Sequence, residues 1–325
     1  IDGITTSGAT GNIRVTGTRT YSTGANYIYN GINIQVTGNG LTQNSPADLT
    51  ISNAAGVSLS TATTISGNLT LNEGTLSTTT VNPSYLLNVT NTSNTAISGG
   101  SASSFIDGAV QWNLPTLASG TTYQFPVGKG GTYLPLSLVN PTTTGASSAK
   151  VEAFNSNSGG TADETTLQSI SSTEYWSLVT GSNFTNSSVT LGKSTAIYPS
   201  DAVGAGTSAG GTYTSLSGTT NINSISNSTS IGAMRYFTLA SRTNYWVGSI
   251  SNDWNTTGNW SVGHVPASGQ NIEFADGNNY GTIAQNDLHI TSDLTINKLK
   301  NVTSKALVIF PGKTLTVNST ITTSN

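Results

Sequence analysis

Apolar residues along this chain come in couples, each split by one residue that is usually small and polar. Leu49 and Ile51, Val57 and Leu59, and Leu69 and Leu71 are such couples. Leu288/Ile290, Leu294/Ile296, Leu307/Ile309 and Leu315/Val317 repeat the arrangement near the other end. Alternate side chains of a strand point to opposite faces, so each couple predicts a short strand with two apolar groups inward and one residue outward. A single couple is too thin to make a core. Couples piled on one another share one, and that is the logic of a parallel β-solenoid. The tetrapeptide DLTI stands at both Asp48–Ile51 and Asp293–Ile296, which ties the two ends to one pattern.

The middle of the chain reads differently. Aromatic strands bounded by Gly, Pro, Asn or Ser are expected at Phe105–Leu114, Thr122–Val127, Leu134–Val139, Lys150–Phe154, Tyr175–Val179, Ser188–Leu191, Tyr213–Leu216, Asn221–Ile225 and Tyr236–Ala240. Many short strands separated by turn signals predict an antiparallel β-sandwich with Trp112, Phe125, Trp176 and Phe237 in its core. A turn of helix is conceivable only at Asp163–Ile170. The expected fold is therefore all-β, with parallel β-solenoid segments at both ends of a central antiparallel β-sandwich. Residues 1–103 would be the end of a solenoid, with strands near Ile13–Val15, Tyr27–Tyr29 and Ile32–Val36. Residues 104–244 would be the sandwich. Residues 245–325 would be a Trp-rich cap, carried by Trp246, Trp254 and Trp260, followed by the start of a second solenoid. Open solenoid ends expose unpaired backbone, which is why a cap is expected there. The C-terminal rungs show no second cap, so a longer parent protein and end-to-end docking of copies both stay open.

Composition narrows the function. Charged residues make up 8% of the 325, about a third of the usual share, and Ser, Thr, Asn and Gly replace them. Alternation with Leu, Ile and Val argues against disorder. There is no Cys, hence no disulfide or thiol chemistry. A net charge of −3 with scattered cations gives no basic stripe for nucleic acid. The apolar runs are too short to cross a bilayer, and no signal peptide is visible at Ile1.

The order of blocks is distinctive: DLTISNAAGVSLS and NLTLNEGTL, then SSFIDGAV, YQFPVGKGGTYLPLSLVN, EYWSL and RYFTLAS, then YWVGSISNDWNTTGNWSVGHVPASGQNIEF. This succession resembles the large repetitive cell-surface and secreted proteins of Bacteroidota, of the adhesin-like kind. The resemblance implies export by the type IX secretion system and an extracellular or cell-surface location. It carries over no catalytic residues.

Candidate chemistry is sparse. The fourteen acids are spread thinly, with no paired carboxylates for a glycosidase or lyase. His264 and His289 have no G-x-S-x-G elbow to serve, and zinc wants more His or Cys. A structural calcium ion is conceivable at Asp253 or Asp276, in turns rich in oxygen ligands, although turns favour the same residues for backbone reasons. Lys150 or Lys193 with Glu174 could form a Lys–Asn cross-link set, a solvated Lys being the plainer reading. Tyr21, Tyr27 and Tyr29 could stack on a sugar, with packing on the solenoid wall the plainer reading. The expected function is a non-enzymatic structural or adhesive module of a long surface fibre, needing no cofactor. A self-assembling filament subunit and a carbohydrate-binding module are the alternatives. Surface glycans, or further copies of the same protein end to end, are the expected partners, without nucleic acid or membrane insertion.

Overall fold

The computed structural model of the chain describes residues 3–4, 12, 15–22, 24–41, 46–81, 84–227, 229–275, 284–302 and 305–323. Among them every regular element is a strand, apart from one 3-10 turn at Thr257–Asn259. No helix there is long and apolar enough to cross a membrane. The chain divides into two compact units, Ile1–Thr161 with Ser171–Leu239, and Ala162–Ile170 with Ala240–Asn325.

Three parallel ladders run through the first unit. One stacks Tyr27–Tyr29, Leu49–Ser52, Leu69–Glu73 and Ile97–Gly99. The second stacks Gln35–Val36, Val57–Ser58, Leu76–Ser77, Ile106–Asp107 and Val127–Lys129. The third stacks Thr63–Ile65, Leu87–Val89 and Val110–Leu114. The chain visits the ladders in turn, so each circuit adds a rung to each; this is a β-solenoid. Register sets like on like, Leu49 on Leu69, Ile51 on Leu71, and Val57 on Leu76 on Ile106. All of these side chains are buried. Each fully buried Leu or Ile contributes roughly 1.5–3 kcal/mol, which a lone couple could not gain.

One buried amide inside the coils has every group engaged. Asn53 is wholly buried; its amide donates to Asn33 O at 2.8 Å and Gln35 Oε1 at 2.9 Å, while its Oδ1 accepts from the Ala55 N–H at 2.9 Å.

The parallel ladders continue past residue 103. The stretch expected as one strand, Phe105–Leu114, is two, because Gly108 turns a solenoid corner at φ 127°. Val110–Leu114 then pairs in parallel with Leu87–Val89 on one edge and antiparallel with Ser147–Phe154 on the other. From there pairing is antiparallel through Tyr175–Thr180 and into Tyr236–Arg242. A second antiparallel sheet holds Thr122–Phe125, Leu136–Thr143, Phe184–Gly192, Ser224–Ser226 and Thr219–Thr220. Aromatic side chains fill the space between these strands. Trp112 meets Tyr123 and Phe125 edge-on at 5.0 and 5.5 Å, and the Trp176 indole N–H donates to Leu134 O at 2.8 Å. Trp112, Phe125, Trp176 and Phe237 are all in the core, in one cluster with the solenoid columns.

Two details depart from the pattern-based expectation. The strand expected over Ile32–Val36 shrinks to Gln35–Val36, with Ile32 and Ile34 exposed. Residues 13 and 14 of the expected strand at Ile13–Val15 lie outside the described residues. Asp163–Ile170 forms no helix: the Asp163 carboxylate accepts from the N–H groups of Thr165, Thr166 and Leu167, and Leu167–Ile170 is a strand.

The second unit repeats the three-ladder plan. Asn244–Trp246, Ile272–Ala275, Leu299–Val302 and Ile321–Thr323 stack in parallel. Leu288–Ile290 stacks with Leu307–Ile309, and Leu294–Ile296 with Leu315–Val317. Leu167–Ile170 runs antiparallel to Ala240–Arg242.

Candidate functional site

The three tyrosines pack against the first coils. Tyr29 is buried, and its hydroxyl donates to Thr37 O at 2.9 Å. Tyr21 and Tyr27 are half-buried against the same cluster, and a side chain at Gly40 would strike the Tyr21 ring. Burial pushes the Tyr27 and Tyr29 phenols up, with neighbouring tyrosines adding to it. What faces outward between them is Ile28.

The tryptophan segment is interior too. Trp246 sits in a rung, and Trp254 and Trp260 pack edge-on at 4.6 Å, with Trp246 to Trp260 at 5.1 Å. All three are buried in the second unit's core. Trp246 donates its indole N–H to Asn286 O, and Trp260 to Trp254 O, both at 2.8 Å. The loop is organised by Asn259, which the pattern of couples does not single out. It is fully buried, accepts from the N–H groups of Ile250 and Ser251, and donates to Ser251 Oγ and Asp253 O. Asp253 is exposed, and its carboxylate accepts from the Asn255 N–H and the Thr256 hydroxyl, the bonding of a local turn. Asp276 lies outside the described residues. Among the described residues no three His, Asp or Glu side chains converge as metal ligands.

Among the described residues four carboxylates meet lysines. The structure brings Lys193 to Glu174, while Lys150 lies elsewhere on its sheet. Glu174 is 2% exposed; its Oε2 takes the Lys193 ammonium and the Thr173 hydroxyl, and Oε1 the Ser171 hydroxyl, each at 2.6 Å. Burial works to raise this carboxyl, but the hydrogen bonds from Lys193, Ser171 and Thr173 and the Lys193 charge outweigh it and hold it below the usual carboxylate range. Asp107 pairs with Lys129 at 3.5 Å, Glu164 with Lys298 at 3.8 Å, and Glu273 with Lys300. The last two pairs line a recess of about 370 Å³ in the second unit. There Tyr245, Glu273, Lys300 and Thr322 stand in one outward column of successive rungs.

A larger groove, about 560 Å³, lies on the first unit. It opens on the outward face of Ser147–Phe154 and Tyr175–Thr180, where alternation brings Lys150, Glu152 and Phe154 to one side beside Tyr175, Ser177 and Val179. Phe154 and Tyr175 are cross-strand partners whose rings stack with centroids 4.4 Å apart and planes 3° from parallel. Tyr236 and Arg235 complete the lining. In the sequence, K-x-E-x-F at 150–154 carries the period-two signal for this set.

No family model matches the chain. No solved structure matches it. Over 87 residues, 25% of this chain, it is 36% identical to the minor fimbrium subunit Mfa5 of Porphyromonas gingivalis. The chain spans 7% of that protein's length. The partial homologue is a Bacteroidota surface protein, in the lineage that the block order implied.

Proposed function

We propose that this chain is a non-catalytic structural and adhesive module of a cell-surface filament. The observation that carries the reading is the 36% identity to a fimbrium subunit in a chain built of stacked parallel rungs. Parallel ladders distribute backbone hydrogen bonds along the stack, a construction suited to a stiff, extended element. The central strands act as an antiparallel sandwich that interrupts the solenoid and offers a broad side-chain face. Weak contacts repeated over many modules would supply adhesion. Export by the type IX route belongs to the same reading, on the strength of the block order alone. The pairing of Glu174 with Lys193 and of Glu273 with Lys300 gives these two acids structural work.

Filament assembly is the more specific form of this reading, favoured by the relative's description as a fimbrium subunit. Analytical ultracentrifugation and negative-stain imaging of the purified chain over a range of concentrations test it. Concentration-dependent linear assemblies support a subunit that polymerises unaided. A dispersed monomer at the highest concentration removes that form.

A further inference from the structure

We propose that the groove on the outward face of Ser147–Phe154 and Tyr175–Thr180 binds a carboxylate-bearing saccharide. The stacked Phe154–Tyr175 pair would be its apolar wall, and Lys150 and Arg235 the cations that receive the carboxylate. The proposal deepens the adhesive half of the function above by naming a ligand class, and it stands apart from filament assembly.

Four observations lead there. First, the lining strands are paired on both sides: Ser147–Phe154 lies between Val110–Leu114 and Tyr175–Thr180, which in turn pairs with Tyr236–Arg242. Most of their main-chain groups are used within the sheet, which leaves little edge for a peptide to add as a strand and puts recognition on the side chains. Second, those side chains combine three half-buried aromatic rings with hydroxyls and charges. A sugar has the matching duality, apolar C–H faces for a ring and hydroxyls for polar groups. The stacked pair is stiff because each ring holds the other, so little order is lost on binding.

Third, the cations lack counterions. Among the described residues Lys150 has no ion pair, and the Arg235 Nη1 donates to the carbonyls of Gly232 and Met234, not to a carboxylate. Glu152 is engaged by the Thr80 hydroxyl at 3.2 Å. Two cations to one acid make the groove locally positive in a chain whose net charge is −3. A neutral ligand would strip water from these cations without replacing it; a carboxylate replaces it with charge-assisted hydrogen bonds. Fourth, 560 Å³ is within the usual size of small-molecule sites and suits a short oligosaccharide segment.

Titration calorimetry with trigalacturonate and with 3′-sialyllactose, each beside its methyl ester, tests the proposal. The ester keeps the ring and removes the charge. Saturable binding of at least one acid is expected, about tenfold or more weaker for its ester. Lys150→Ala, or Lys150→Gln if the alanine variant melts early, should weaken the acid by a similar factor at an unchanged melting temperature. Phe154→Leu keeps an apolar cross-strand partner and should weaken acid and ester alike. No binding of either acid at millimolar concentration overturns the assignment, as does equal affinity for acid and ester. Undiminished binding by both Lys150 variants, or binding of an extended peptide instead of the sugars, overturns it too. None of these results touches filament assembly, which sedimentation reads separately.

Discussion

Asp48, Asp287 and Asp293 do the same job at three places. Each sits just before an apolar couple and accepts the N–H of the residue that opens the next rung: Asn68 at 2.7 Å, Ala306 at 2.9 Å and Thr314 at 2.9 Å. The aspartate of the DLTI repeat is thus a clip between coils, visible in sequence as a repeat though not as a role. Asp48→Ala should cost about 0.5–1.5 kcal/mol in the urea unfolding of the first unit. Asn in its place should recover part of that. Glu174 is the opposite case, a buried charge held by Lys193, one of the two lysines that the sequence had set beside it. Its folded carboxyl loses its proton more readily than the unfolded one, whose ordinary value is 4.5. The stabilisation is complete above about that pH and is lost as pH falls through the lower folded value. Asp163 adds to the same acid limb in the second unit; burial opposes its ionisation but the Leu167, Thr166 and Thr165 bonds prevail. Lys193→Ala, which leaves Glu174 buried without its cation, should destabilise by about 3 kcal/mol at pH 7. The gap from the parent should narrow in denaturant melts below pH 4 as the carboxyl protonates.

At the scale of the element, Gly108 shows why alternation alone misplaces boundaries. A Cβ there would lie 2.5 Å from Thr78 Oγ1 and 2.6 Å from its carbonyl oxygen, at a φ of 127° that side chains avoid. Gly108→Val should therefore destabilise by about 2 kcal/mol or more, read as a lower thermal midpoint with strand content kept below it. The couples Leu49/Ile51, Leu69/Leu71 and Leu294/Ile296 were legible because each faces one core and one solvent side. Ala202–Gly206 was not, since every residue of it is buried and nothing alternates. Tyr27 and Tyr29 were placed on a common strand correctly, yet period two cannot say which side is the interior. The tryptophan block was legible as a unit, while Asn259, which holds the loop from inside, carries no compositional mark. Trp260→Ala, removing a buried ring against Trp246 and Trp254, should cost about 3–5 kcal/mol and abolish most of the near-ultraviolet signal of that cluster.

At the scale of the molecule, the 36% identity over 87 residues to a fimbrium subunit fits a structural or filament role. Stability here rests on apolar columns and paired charges, and Asp253 already spends its carboxylate on its own turn. Thermal melts with and without excess chelator should coincide; a lower midpoint in chelator would reveal a cation that the fold depends on. The strand Val110–Leu114 has one further consequence. Because it belongs to the coil on one edge and to the antiparallel sheet on the other, no tether separates the two constructions. Tension applied along the chain meets no slack joint there, and in a single-molecule pulling trace the two should yield in one event, not as a weak link followed by a strong one.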